Sequence, residues 1–144
     1  MPLRAHGLRV TQQRQSVLGV LASRPHLTAA ELALEVGPLL TKPLSRQGLY
    51  NVLADLTRVG LVRGIEPAGS AARYELRVGD NHHHMVCRTC GRVEDVDCAV
   101  GAAPCLEPAD TPSGFVLEEA EVTWWGTCES CRRERTHRPV EETR

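Results

Sequence analysis

Four of the six cysteines form two pairs with a two-residue spacing, Cys87 with Cys90 and Cys128 with Cys131. This spacing lets one tight turn aim both thiolates at the same ion, and two such turns complete the tetrahedral shell of a structural Zn²⁺ site. The alternative is a pair of redox dithiols. Neither pair is set in a recognisable strand-to-helix pattern, so we interpret all four cysteines as zinc ligands.

Three consecutive histidines, His82, His83 and His84, precede the first cysteine pair. If this segment is a strand, His82 and His84 lie on one face and His83 on the other. Two imidazoles then face a second metal pocket, to which Asp95 or Glu75 could add an oxygen ligand. The alternative is a solvated edge strand with no ligand role.

A third chemically suggestive group follows Ser45. Arg46, Gln47, Tyr50 and Asn51 would share one side of a helix whose other side carries leucine and valine. Hydrogen-bond donors and a flat ring on one helix face suit insertion into the major groove of DNA. Many amphipathic helices share this pattern, so the interpretation depends on the neighbouring elements.

The two remaining cysteines, Cys98 and Cys105, lie outside the zinc quartet. In a reducing compartment such thiols seldom form structural disulfides. They could act as a redox switch or serve as inert small hydrophobic side chains, and we favour an inert or auxiliary role.

Local signals place the candidate DNA-reading helix third in a series. Helical spacing follows Thr11, and a capping box at Thr28 opens a second helix. Ser45 opens the third helix, and Gly60 ends it. Residues 61–76 follow as two short strands joined by a tight turn. Three helices and a hairpin predict a winged helix-turn-helix domain.

The turn-rich segment 79–81 marks a domain boundary. Beyond it we expect strand 82–86 to pair with strand 92–96, and residues 115–125 to form the longest strand. Prolines between these strands exclude a long helix. The predicted fold class is α+β, with a winged-helix DNA-binding domain (residues 1–79), an α/β domain holding the four-cysteine zinc site (residues 80–136) and a disordered tail (residues 137–144).

Composition and charge limit the functions that the chain can have. Only two Trp, two Tyr and one Phe occur among 144 residues, so metal or oligomerisation would help to stabilise such small cores. Residues 1–77 carry a net charge of +5 and residues 78–144 a net charge of −6, so only the first half suits a polyanion, although chance asymmetry is an equal explanation. No apolar run predicts a signal peptide or membrane span. We expect a cytoplasmic protein with no membrane partner.

With these features in place, the chain resembles the ferric uptake regulator (Fur) superfamily over nearly its whole length. The matching stretches are residues 8–14, 49–53, 60–62, 72–75, 82–91 and 128–131. Residues 78–84 and 97–105 are similar to an actinobacterial branch of peroxide- and iron-responsive repressors. The resemblance implies a homodimer, formed through the C-terminal domain, that binds double-stranded operator DNA when a regulatory metal site is filled.

Carried over by position, the regulatory ligands are His26, Glu75, His82, His84 and Asp95, and Arg14 joins the DNA-contacting residues. Since His26 belongs to the DNA-binding half, an ion bound by all five ligands would clamp the two domains together. Imidazole and carboxylate suit several divalent metals. We favour Fe²⁺ or Mn²⁺, with derepression of oxidative-stress genes by peroxide. The resemblance departs at Ala120, where many relatives have a metal-binding histidine, and at Asn51, where many have arginine.

Two alternatives stay open. The first is an iron or zinc homeostasis regulator of the same family. The second is a redox or hydrolytic metalloenzyme that uses the histidine cluster as an open catalytic site. An enzyme needs a substrate pocket and an acid or base beside the metal. Nothing after Asp95 supplies a recognisable one, so we do not expect an enzyme.

Overall fold

The computed structural model describes residues 2–137 of the chain. Contacts between residues divide it into two compact units, Met1–Asp80 and Asn81–Arg144. The predicted tail of residues 137–144 lies outside the described residues, except for His137, which ends the last helix. Among the described residues, no helix has the length and apolar character needed to cross a bilayer.

The first unit is built from helices whose starts are set by side-chain caps. Its helices are α1 (Pro2–Ala5), α2 (Gln12–Ser23), α3 (Ala29–Val36) and α4 (Arg46–Arg58). The Thr11 hydroxyl caps α2, and the Ser45 hydroxyl accepts from the backbone N–H of Gly48 to cap α4. Thr28 and Glu31 form the predicted capping box of α3. The three main helices therefore begin where the sequence indicates, whereas the short helix α1 was not predicted.

A small sheet completes this unit as a winged helix-turn-helix. Its strands are β1 (Leu27–Thr28), β2 (Arg63–Ile65) and β3 (Arg73–Glu75), in the order β1-β3-β2. Strands β2 and β3 form the predicted antiparallel hairpin, with the turn closed by the N–H of Ser70 donating to the carbonyl of Pro67. Strand β1 was missed because two residues carry no readable alternation. Its pairing with β3 ties the start of α3 to the wing.

Leucine and valine side chains fill the core of the first unit, as the composition requires. Helix α4 contributes Leu49, Leu53 and Leu56, all buried, and they pack with buried residues of α2 and α3. Burying one face of α4 in this way leaves its polar face exposed. The core therefore fixes which side chains the helix can offer to a partner.

The second unit contains a three-stranded sheet and one helix. Its elements are β4 (His82–Cys87), β5 (Val93–Asp97), β6 (Thr123–Gly126) and α5 (Glu129–His137). The central strand is β4, which pairs antiparallel with β5 and parallel with β6. Few apolar side chains are buried in the described part of this unit: Val86, Cys87 and Cys131. So small a core needs another source of stability.

The predicted strand over residues 115–125 is wrong for most of its length. Only Thr123–Gly126 forms a strand, because only these residues pair in register with β4. The preceding segment has the expected alternation but no neighbouring strand within the described residues, and a strand needs a partner for its backbone groups. Phe115 and Val116 are consequently 68% and 85% exposed.

Candidate metal centres and DNA-reading surface

The two cysteine pairs converge at one end of the second unit. The parallel register of β4 and β6 sets Cys87 opposite Gly126, which brings the turn after β4 beside the start of α5. The four Sγ atoms all lie within 4.8 Å of one another, and those of Cys90 and Cys128 are 3.8 Å apart. A tetrahedral Zn²⁺ ion with Zn–S bonds of about 2.3 Å requires S–S separations of about 3.8 Å. The donor set and spacing therefore fit zinc.

Backbone donors favour thiolate at this cluster. The N–H of Cys128 donates to Cys87 Sγ over 3.3 Å. This bond, followed by that from the N–H of Cys90, lowers the pKa of Cys87 to about 6. Contact with the Cys128 thiol and burial raise the pKa of Cys131 to about 12. Four thiolates this close repel one another, and a bound divalent cation offsets that repulsion.

Helix α5 begins directly after Cys128, which differs from the sequence-based expectation. The second cysteine pair does follow a strand and open a helix, because Cys128 lies between β6 and α5. The absence of such a pattern was our reason for setting aside redox dithiols. The common location of all four sulfurs now supports the zinc interpretation instead, since two separate dithiols would not need to share one site.

The three histidines occupy a buried central strand, so the interpretation as a solvated edge strand is wrong. His82 Nε2 and His84 Nε2 lie 3.6 and 3.3 Å from Asp95 Oδ1 on β5. The two imidazole rings meet edge to face. Two nitrogens and a carboxylate are thus brought together within the second unit, on the side of β4 that the alternation predicts.

His26 and Glu75 form a buried pair within the first unit, with His26 Nε2 3.0 Å from Glu75 Oε2. His26 is the one described non-glycine residue with positive φ, at 65°. Its N–H donates to the carbonyl of Tyr74, and its own carbonyl accepts from the Arg73 guanidinium. Such a conformation costs about 1–3 kcal/mol and often marks a functional position. These bonds hold an imidazole where glycine would be less strained.

The predicted DNA-contacting residues of α4 share one exposed face: Arg46, Gln47, Tyr50 and Asn51. Tyr50 is 46% exposed despite its ring. The Gln47 side-chain amide donates to Asn51 Oδ1 over 2.9 Å. This bond limits the rotamers of both side chains, so less conformational entropy would be lost on contact with a base edge.

Arg14 lies at the junction of α2 and α4. Its guanidinium donates to Asp55 Oδ2 over 2.6 Å and to the carbonyl of Arg9 over 2.7 Å. The hydrogen bond from Arg14, followed by that from Arg58, holds the pKa of Asp55 below its ordinary value of 3.8. Arg14 therefore joins two helices, a role that sequence spacing does not show.

The Arg14–Asp55 ion pair predicts a specific pH dependence. A carboxyl group whose pKa is lowered by folding stabilises the folded state at every pH above the pKa that the group has in the unfolded chain. That stability is lost as the pH falls through the lowered pKa of the folded state. We expect Asp55→Asn to be less stable than the wild type at neutral pH, with the difference vanishing in acid. Urea unfolding across that range measures this. A difference that grows in acid would contradict it.

Cys98 and Cys105 lie near each other and near the third histidine. His83 Nε2 is 3.0 Å from Cys105 Sγ, and the ligand atoms of the three residues lie within 4.8 Å of one another. Partial burial raises the pKa of Cys98, but hydrogen bonds from the N–H groups of Gly101 and Val100 and from Cys105 outweigh it and lower the pKa. Burial and the Cys98 contact raise the pKa of Cys105. The sequence did not connect His83 to these thiols because no periodicity links a strand to a loop.

Comparisons with known proteins point to one family of transcriptional regulators. The family model of the ferric uptake regulator family matches residues 5–103. Transcriptional regulator FurA of Mycobacterium tuberculosis is 54% identical over 129 residues, which cover 90% of this chain and 86% of that protein. The peroxide-responsive repressor PerR of Staphylococcus saprophyticus is 34% identical over 135 residues, covering 90% and 86%.

A solved structure extends the likeness to the fold. The ferric uptake regulator from Pseudomonas aeruginosa, solved with manganese, superposes with a TM-score of 0.63 at 25% identity. The match covers 89% of this chain and 96% of that one. The winged helix-turn-helix followed by a dimerisation domain in this chain is therefore a fold of the ferric uptake regulator type.

Proposed function

This chain belongs to the ferric uptake regulator family of metal-responsive transcriptional regulators. From that premise we propose that it is a repressor that binds operator DNA as a homodimer when a regulatory Fe²⁺ or Mn²⁺ site is filled. Exposure to peroxide then releases the DNA. The observation that carries the proposal is a pair of ligand groups, buried His26 with buried Glu75 in one unit and buried His82 and His84 with the more exposed Asp95 in the other.

The reading surface supports DNA as the partner. The exposed face of α4 offers Arg46 together with amide and phenol groups, and α4 belongs to the half of the chain with a net charge of +5. Positive charge supplies affinity for phosphates, and amide groups read base edges.

The regulatory ion would take its ligands from both groups. His26 and Glu75 belong to the winged helix, whereas His82, His84 and Asp95 belong to the dimerisation domain. A metal held by both groups would favour conformers with one angle between the domains, and only differential affinity for such conformers can shift the population. Repression would then follow metal occupancy.

The donor set supports iron or manganese. Three imidazoles and two carboxylates form a nitrogen-oxygen set without thiolate, which suits Fe²⁺ and Mn²⁺ but also other divalent metals. When bound, Fe²⁺ supplies one-electron chemistry with hydrogen peroxide that Mn²⁺ does not support. The peroxide response rests on that difference and on the similarity to a peroxide-responsive repressor.

The apolar surface of the second unit supports a homodimer. Its large exposed side chains in the described residues are Met85, Val100, Leu106, Phe115, Val116, Leu117 and Trp124. Exposed apolar side chains mark an interaction surface where they form one contiguous patch. Phe115 and Val116 precede β6 without a partner strand among the described residues, so a second copy could pair with this segment.

A gel-shift assay tests the proposal. The full-length, zinc-loaded protein is mixed with duplex DNA from upstream of its own coding sequence, with and without Mn²⁺ or anaerobic Fe²⁺. We expect either metal to tighten binding about tenfold or more. Brief peroxide exposure should then release DNA from the iron form alone and add oxygen to peptides containing His26, His82 or His84. Metal-stimulated binding that ignores peroxide would indicate a metal-homeostasis regulator, and no binding in any form would contradict a regulator.

Asn51 predicts an effect on sequence preference. An asparagine on a recognition helix can bond adenine through both amide atoms, so we expect Asn51→Ala to cost about 1–3 kcal/mol of binding and to relax preference at one A·T pair per half-site. Thr57→Ala, at an exposed position on the same helix, is the matched control. Equal loss on every DNA sequence would instead make Asn51 a backbone contact.

A further inference from the structure

A cluster of His83, Cys98 and Cys105 lies outside both the zinc quartet and the regulatory ligand groups. His83 lies in the central strand β4 and alternates with His82 and His84. Cys98 directly follows β5, and Cys105 lies seven residues later in the loop. Both cysteines are partly exposed, so a small solute can reach them, whereas His83 is buried.

The hydrogen bonds of this cluster run in one direction. The backbone N–H of Val122 donates to His83 Nδ1 over 3.3 Å. A neutral imidazole that accepts at Nδ1 carries its proton on Nε2. The Nε2–H group therefore donates to Cys105 Sγ, 3.0 Å away. Cys98 Sγ lies within 4.8 Å of the ligand atoms of both residues and accepts from the N–H groups of Gly101 and Val100.

This direction decides between two uses of the cluster. Two thiolates and an imidazole would also suit a zinc-class ion. A metal-bound histidine, however, needs its lone pair at the metal and normally donates its other N–H to an acceptor. Here a backbone N–H faces Nδ1, which keeps the proton on Nε2, the atom nearest the sulfurs. The arrangement therefore opposes a metal ion and stabilises negative charge on Cys98.

We propose that Cys98 is an oxidation site for hydrogen peroxide or small organic hydroperoxides, and that Cys105 is the thiol that resolves the oxidised product. The Cys98 thiolate attacks the terminal peroxide oxygen, the O–O bond breaks, and the leaving oxygen takes a proton to form water or an alcohol. Cys105 then attacks the sulfenic acid of Cys98, an S–S bond forms, and its hydroxyl leaves with the Cys105 proton as water. Two thiols are oxidised as one peroxide is reduced.

His83 is a positioning residue in this scheme. Its Nε2–H group stabilises developing thiolate on Cys105 during the second step, because that sulfur is the one it contacts. Cys98 follows Asp97, which pairs with His82, so oxidation alters the end of the strand that carries Asp95. The four quartet thiols remain protected as long as a metal is bound to them.

The test uses the full-length, zinc-loaded protein in its manganese form, in which histidine oxidation is not expected. After brief peroxide exposure, free thiols are alkylated and peptides are measured by mass spectrometry. We expect a Cys98–Cys105 disulfide, retained zinc, and oxidation about tenfold or more faster than in urea-unfolded protein. Cys105→Ser should leave Cys98 as a sulfenic acid that dimedone traps. Cys98→Ser should leave Cys105 reduced.

His83→Leu separates the two steps because it removes the side-chain donor. It should slow disulfide formation while the yield of dimedone-trapped sulfenic acid rises, a pattern that mere loss of structure would not produce. His83→Gln keeps a side-chain N–H donor and should retain most of the wild-type rate. Oxidation of Cys98 no faster than in unfolded protein would overturn the proposal. So would a second zinc equivalent in the reduced wild type that Cys98→Ser loses. Because the regulatory histidines take no part, this result is independent of the proposed iron-dependent peroxide response.

Discussion

Cys87→Ser should release zinc, unfold the second unit and abolish the dimer, while the first unit keeps its own leucine-rich core. The described residues of the second unit bury only Val86, Cys87 and Cys131 among apolar side chains. That area cannot offset the conformational entropy of more than fifty residues. Structural zinc sites contribute apparent binding free energies of about 10–16 kcal/mol, which then become folding free energy. We expect losing one ligand to remove most of that contribution.

Cys98→Ser is the matched control, since it removes a cysteine of the same unit that lies outside the quartet. Metal analysis should find about one zinc per chain in the wild type and in the control, and little in Cys87→Ser. Light scattering should report a dimer for the wild type and for the Cys98→Ser control. Full zinc content and an intact dimer in Cys87→Ser would remove the quartet assignment.

His26→Ala should separate regulation from folding. We expect the variant to keep its zinc and its dimer but to lose metal stimulation of DNA binding, from tenfold or more to about none. The reason is that His26 supplies the only nitrogen ligand proposed for the winged-helix unit. Without it, the ion would keep the imidazoles of the second unit but would bind the winged-helix unit weakly. Anisotropy titrations of labelled DNA with and without Mn²⁺ measure this effect.

Two further variants keep this test decisive. His26→Ala leaves buried Glu75 without its imidazole partner and places alanine at positive φ, both of which destabilise the first unit. His26→Asn tolerates positive φ and retains a hydrogen-bond donor, so it should fold and still lose stimulation. His6→Ala changes an exposed histidine of the same unit and should behave as wild type. Full metal stimulation in His26→Asn would show that the regulatory ion does not use His26.

The sequence by itself determined features that depend on near neighbours along the chain. The caps at Thr11, Thr28 and Ser45 and the buried leucines of α4 follow from local hydrogen bonds and helical spacing, and the structure confirms them. The alternation of the three histidines likewise predicted that His82 and His84 would share a side of β4, where both approach Asp95.

Only the tertiary structure decided features that need a partner distant in sequence. Residues 115–122 have a strand-like pattern yet form no strand among the described residues, because pattern does not supply the neighbour that backbone groups require. The contacts of Arg14 and His83 also depend on distant parts of the chain. Arg14 donates to Asp55, forty-one residues away, and His83 lies beside the two loop thiols. Periodicity predicts which face a side chain occupies, but the identity of the group opposite that face depends on how the whole chain folds.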